Sequence, residues 1–176
     1  MKTILWSALA LLLIAAPVLA QTEDQEAKES QEEHGAEAVV RTPPAPYAQW
    51  LVDQTVATHA SVSGMEMAVV LDDTCRTIAA TDKEDLGEIC DDELEVMTKQ
   101  EPEVEEPSDE EPVYEVTLAL HDAQGKVIGS LGMDLDAGDL NHDSALALAR
   151  KVLQEVEAKI PAKGSLFKDA PSKKKN

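Results

Sequence analysis

The stretch VTLALHDAQGKVIGSLGMDL, residues 116–135, decides the fold. Tyr114, Val116, Leu118 and Leu120 alternate with smaller or polar residues before HDAQG, and Val127, Leu131, Met133 and Leu135 repeat the pattern after it. Apolar residues at a period of two put one face of a strand in a core, and a short turn containing Asp and Gly between two such runs makes an antiparallel hairpin. The same alternation occurs in MEMAVVL (65–71), followed by the turn DDTC and a short strand RTIAA (76–80). LEVMTK (94–99) reads as another short strand.

Helical spacing appears on either side of these strands. Tyr47/Leu51 and Val52/Val56 stand four residues apart in a helix from Tyr47 to about Ser61, started by Pro46 and ended by Gly64. Ala145, Ala149, Val152, Leu153, Val156 and Ile160 form one stripe of a helix from Leu140 to Ile160, stopped by Pro161. The two helices cover the apolar face of the sheet, an α+β arrangement.

The opposite face collects Glu66, Ala68 and Val70, then Glu115, Thr117 and Ala119, then Ile128, Ser130, Gly132 and Asp134. Small residues leave volume above a sheet, and glycine in a strand marks a close approach by a ligand or another backbone. Two readings stand. Either residues 81–112 roof a ligand chamber floored by this face, or the face is solvated, as one side of an antiparallel sheet commonly is. Arg76 would grip a carboxylate if it faced such a chamber, whereas Glu66 and Glu115 would favour a cation.

Composition sets the outer limits. Lys2 precedes an apolar run from Ile4 to Ala16, then Pro17-Val18-Leu19-Ala20, a secretory leader cleaved after Ala20. The run of about 13 residues is short of the roughly 20 needed to span a bilayer. The expected location is therefore the periplasm or the outside, with no stable membrane anchor. Thirty-five acidic against 15 basic side chains give a net charge of −20, which argues against nucleic acid or anionic lipid as partner. Only 3% of residues are aromatic, so the core is built from Val, Leu, Ile, Met and Ala. Residues 21–45 read as a disordered acidic linker, 46–160 as one domain with an acidic loop at 100–112, and 161–176 as a disordered basic tail.

Cys75 and Cys90 are either a disulfide staple or two free thiols, and neither C-x-x-C nor C-x-x-C-H is present. The segment DLDAGDLNHD departs from a calcium loop in its glycine position and lacks the twelfth-position acid, so no metal is assigned, and no cofactor is called for. Catalysis needs convergent groups, yet no G-x-S-x-G or H-E-x-x-H spacing occurs. His34 falls in the linker, His59 near the first helix end, His121 in a turn and His142 at a helix start. An enzyme is not expected.

Taken in order, the helix, AVVLDDTCRTIAATDKEDLGE, a variable segment and VTLALHDAQGKVIGSLGMDL resemble the extracytoplasmic Cache (PDC) sensor domains of the PAS-like group. Asp73, Ile78, Ala79, Asp82 and Gly87 match the first characteristic element, and Asp122, Gly125, Ile128 and Gly129 the second. The resemblance covers about residues 46–160. It implies a five-stranded antiparallel sheet with a long amino-terminal helix and a small-molecule pocket on the far side of the sheet. Cys75 replaces the turn glycine of the first element, which suits a disulfide to a lid near Cys90.

The expected function is a standalone periplasmic module that binds a small organic ligand or metabolite, without a signalling output of its own. Its candidate ligand-binding residues are Glu66, Ala68, Val70, Arg76, Thr117, Ala119, Ser130 and Gly132. The alternative is an acidic accessory protein that docks a basic periplasmic partner and holds no ligand. Pairing of the first helix with its copy would give a homodimer.

Overall fold

The computed structural model describes residues 44–172. The leader, nearly all of the linker with His34, and residues 173–176 of the tail lie outside the described residues.

Helix α1 (Pro46–Thr58) starts with proline in its first turn and ends at His59, which is extended. The chain then enters β1 (Val62–Leu71), so Gly64 lies within a strand and does not end the helix. Asp72 and Asp73, at φ 47° and 63°, make the tight turn to β2 (Thr74–Ala80). Short polar side chains tolerate this left-handed backbone. Helix α2 (Asp91–Lys99) and β3 (Glu103–Glu105) follow, then β4 (Val113–His121), β5 (Val127–Asp136) and α3 (His142–Glu157). All pairings are antiparallel, and the sheet order is β2-β1-β5-β4-β3.

LEVMTK and the acidic loop differ from their sequence reading. LEVMTK lies in a helix because Asp91, Asp92 and Glu93 favour the positive helix start, Lys99 favours its end, and Gln100 closes it in the left-handed conformation. Val96 and Met97 are its buried residues. The remaining strand comes from the acidic loop, where Glu103-Val104-Glu105 pairs with Thr117, Val116 and Glu115 of β4.

Helices α1 and α3 pack on one face of the sheet. There Leu51, Val52, Met67, Val69, Val116, Leu120, Leu131, Met133, Leu135, Val152, Val156 and Ile160 are completely or almost completely buried. The α3 stripe read from the sequence is buried as expected. Asn141 caps this helix, its side chain accepting from the Ser144 amide while the Ser144 hydroxyl accepts from the Asn141 amide.

The register shifts at three places, between Val62 and Gly64, between Met67 and Ala68, and between Leu120 and His121. Leu120 pairs with Gly129 and His121 with Val127, which leaves Ile128 as the extra residue of β5. Ile128 therefore joins the helix-side core and Val127 turns to the opposite face, the reverse of their sequence assignment. On β2, Ala79 pairs with Met67 and Thr77 with Ala68, so Ile78 and Ala79 both reach the helix-side core. Gly129 fits because a Cβ there would stand 2.2 Å from the Ala68 carbonyl oxygen. Asp122 organises the hairpin turn by accepting from the amides of Gln124 and Lys126, with Gly125 at φ 75°.

The segment after Pro161, expected to be disordered, belongs to the fold as far as Lys168. Leu166 is fully buried, and the Leu166 and Lys168 carbonyls accept from the Ala48 and Tyr47 amides at 3.1 Å. Those amides lie in the first turn of α1, where no intrahelical acceptor exists. Among the described residues no helix is long and apolar enough to cross a membrane.

Candidate functional site

The second face of the sheet is divided into an apolar half and an acidic half. In the apolar half, α2 lays Val96 and Met97 down, and Met97 packs in a cluster with Ala68, Cys75 and Cys90, flanked by Val70 and Val127. Cys75 and Cys90 form a disulfide with 15 residues of separation, tying β2 to the residue that precedes α2. Between them, residues 87–90 run along the free edge of β2. Gly87 donates to the Thr77 carbonyl at 2.9 Å, Thr77 to Glu88 at 3.1 Å and Cys90 to Cys75 at 3.4 Å.

The acidic half is an open cleft of about 370 Å³. Ser63, Gly64, Met65 and Glu66 of β1, Thr81, Asp82 and Asp85 of the following loop, Glu115 of β4, and Gly132, Met133 and Asp134 of β5 line it. Its five carboxylates face no basic side chain among these lining residues. The two glycines seat two of those acids. A Cβ on Gly132 would meet Glu66 Cγ at 3.0 Å and Oε1 at 3.1 Å, and one on Gly64 would overlap Asp134 Oδ2 at 1.9 Å. Glycines here make room for carboxylates folded flat over the neighbouring strand.

Burial, reinforced by neighbouring like charges, raises the proton affinity of Glu66, Glu115 and Asp134. Burial pushes the Glu66 carboxyl up to about 7, reinforced by a hydrogen bond with Glu93 of α2 and by the charges of Glu93, Asp85 and Glu115. Burial likewise raises Glu115, with Asp134, Glu105, Glu111 and Glu93 adding to the effect. Asp134 is raised by burial and by Glu111 and Asp85. A smaller recess of about 70 Å³ continues past Glu115 between Asp92, Glu93, Glu103, Glu105 and Thr117, where burial and Asp92 raise Glu103.

The eight residues proposed from sequence are thus divided. Glu66 and Gly132 line the cleft, and Thr117 lines the smaller recess. Ala68 and Val70 pack in or against the α2 cluster. Ser130, paired with Ala68 and Ala119, is buried and its hydroxyl has no partner, and Ala119 is buried beside it. Arg76 does not reach the cleft: its guanidinium donates to the Gly87 carbonyl at 2.9 Å. Of these charged candidates, Glu66 and Glu115 line the cleft and Arg76 does not.

Sequence reasoning placed Asp134 on this face but missed Asp82, Asp85 and Glu93, which sit in a run of acids without periodic spacing. The histidines serve elsewhere: His59 meets Glu155 at 3.0 Å, His121 meets Glu157 at 2.8 Å, and His142 meets Glu106 at 2.9 Å. Among the described residues no three His, Cys, Asp or Glu side chains are arranged to hold a metal ion.

No protein-family model matches the sequence, and no curated protein does. Solved structures do match. A candidate GAF sensor protein from Burkholderia vietnamiensis is 13% identical over 67% of this chain and 76% of its own, with a TM-score of 0.50. The fold is GAF/PAS-like. The GAF domain of a two-component sensor histidine kinase from Bacillus halodurans is 8% identical over 66% of this chain and 95% of its own, with a TM-score of 0.49. At these identities the likeness concerns the backbone, so the chemistry of the GAF/PAS-like cleft has to be read from its own side chains.

Proposed function

We propose that this protein is a sensor-type binding module that takes a small organic cation, with an ammonium or amidinium group, into the acidic cleft. The observation that carries this reading is the cleft itself, five carboxylates around about 370 Å³ with no basic lining residue. A cation there recovers Coulomb energy that the apo protein leaves as repulsion. The GAF/PAS-like fold of the Burkholderia sensor protein supports a sensory role. The Cache-type hairpin residues Asp122, Gly125, Ile128 and Gly129 support an extracytoplasmic variety of it, as do the apolar leader and the Cys75–Cys90 disulfide. The module passes on its ligand state through its surface.

Calorimetric titration with a short alkyl diamine and with the matching dicarboxylate tests the reading. Diamine binding that weakens about tenfold or more in Glu66→Gln, with no dicarboxylate binding, is expected, since a buried charge-assisted contact contributes about 1.5–3 kcal/mol. Equal binding by Glu66→Gln, or a preference for the dicarboxylate, would sink it. Cation binding needs ionised Glu66, so affinity should fall as pH drops below about 7.

A further inference from the structure

Helix α2 is an acidic element lying against acidic strands. It carries Asp91, Asp92, Glu93 and Glu95 against a single Lys99, and that lysine is paired within the helix to Glu95. From β1 it meets Glu66, from β3 Glu103, and from β4 Glu115; Glu105 and Thr117 complete the recess beside Asp92 and Glu93. From β5, Asp134 adds its charge to Glu115. Beside the helix, Asp85 acts on Glu66, and on β2 the Arg76 guanidinium is turned to the Gly87 carbonyl. At the helix end, His121 lies 3.5 Å from the Gln100 side chain and is engaged by Glu157 at its other nitrogen.

Little apolar contact opposes this repulsion. Val96 and Met97 are the buried residues of α2, while Leu94 is exposed. The disulfide fixes the amino end of the helix, and the connection at its other end is Gln100 to Pro102.

We propose that α2 is a redox-released latch, held on the second face by the Cys75–Cys90 disulfide and freed from it when a dithiol reduces that bond. A thiolate of the dithiol attacks one cystine sulfur and expels the other as a thiolate. The second thiol of the reductant then closes its own disulfide and releases the first cysteine, and two protons convert both protein thiolates to thiols. Both cystine sulfurs are in buried residues, so attack proceeds through displacement of the exposed residues 88 and 89 beside Cys90. The proton on the buried Glu66 carboxyl, which is hydrogen-bonded to Glu93, is a second fastening, because its loss puts a second charge against α2. Release by reduction is therefore expected at pH 8, where that proton is lost, and suppressed at pH 5.5, where it is retained. This latch stands apart from the identity of any ligand in the cleft, and its test involves none.

Hydrogen exchange of the protein, corrected for intrinsic rates, reads the latch directly. In the oxidised protein the amides of residues 95–100 should be protected at both pH values. After dithiol reduction they should exchange about tenfold faster or more at pH 8 and stay protected at pH 5.5, with β1, β5 and α3 unchanged. Reduced Glu93→Gln should remain protected at pH 8, because a neutral amide there removes the like charge facing Glu66. Unchanged α2 protection in the reduced protein at pH 8 would overturn the latch. So would a simultaneous loss of protection in α3 and β5, since the disulfide would then staple the whole fold.

Discussion

The two faces of one sheet are stabilised by opposite means. On the helix side, α1 and α3 bury a continuous aliphatic core, and the charged partners lie at its margin, as in His59–Glu155 and His121–Glu157. On the other side a disulfide and two side chains of α2 hold a short helix over a floor that collects unpaired carboxylates. Stability is concentrated on the first face. The second face keeps electrostatic stress, and such stress in a cleft is a resource for binding a counter-charge.

Substitutions sharpen this contrast. The largest effect belongs to the helix side: Leu131→Ala, at a fully buried position, should cost about 2–5 kcal/mol in denaturant unfolding. A loss below 1 kcal/mol would show that the core is less decisive than its burial implies.

The glycines of β5 then separate the faces within a single strand. Gly129→Ala forces a Cβ against the Ala68 backbone and should destabilise by about 1–3 kcal/mol. Gly132→Ala meets only the flexible end of Glu66, so its stability change should stay below about 1 kcal/mol while diamine affinity drops. Similar unfolding midpoints for the two variants would erase the distinction.

Acid should strengthen the second face. Glu66 has its folded pKa raised from 4.5 to about 7, so the folded state binds more protons between those values and stability rises as pH falls through 7 toward 4.5. With screening by solvent in this open cleft, the gain from pH 8 to pH 5 should be about 1–2 kcal/mol and should be clearly smaller in Glu66→Gln. A wild-type protein whose stability is flat or falls over that range, relative to the variant, would contradict the uncompensated cluster. The smallest effect is again on the helix side, where Asn141→Ala removes the α3 cap and should cost about 1 kcal/mol at any pH in that range.

Legibility followed the same division. Periodic apolar residues revealed β1, β4, β5, α1 and α3, because a single large core enforces one repeat along each element. It failed at Val127 and Ile128, where a bulge adds a residue that no alternation announces. It also failed at LEVMTK, since a helix anchored by only Val96 and Met97 shows too little of a stripe to be told from a strand. Of the site, Glu66, Gly132 and Asp134 were readable from strand parity. Asp82, Asp85 and Glu93 were not, because their positions depend on the route of a loop and a lid.

The central claim, that the second face is an uncompensated acidic cleft built for a cation, is tested most directly by following the Glu66 side-chain carboxyl by carbon NMR through a pH titration. The titration is run with and without a saturating alkyl diamine. The account predicts a midpoint near 7 in the free protein, displaced downward by about one unit or more when the diamine is present. A midpoint at the ordinary glutamate value in the free protein, or one near 7 that the diamine leaves in place, would contradict it.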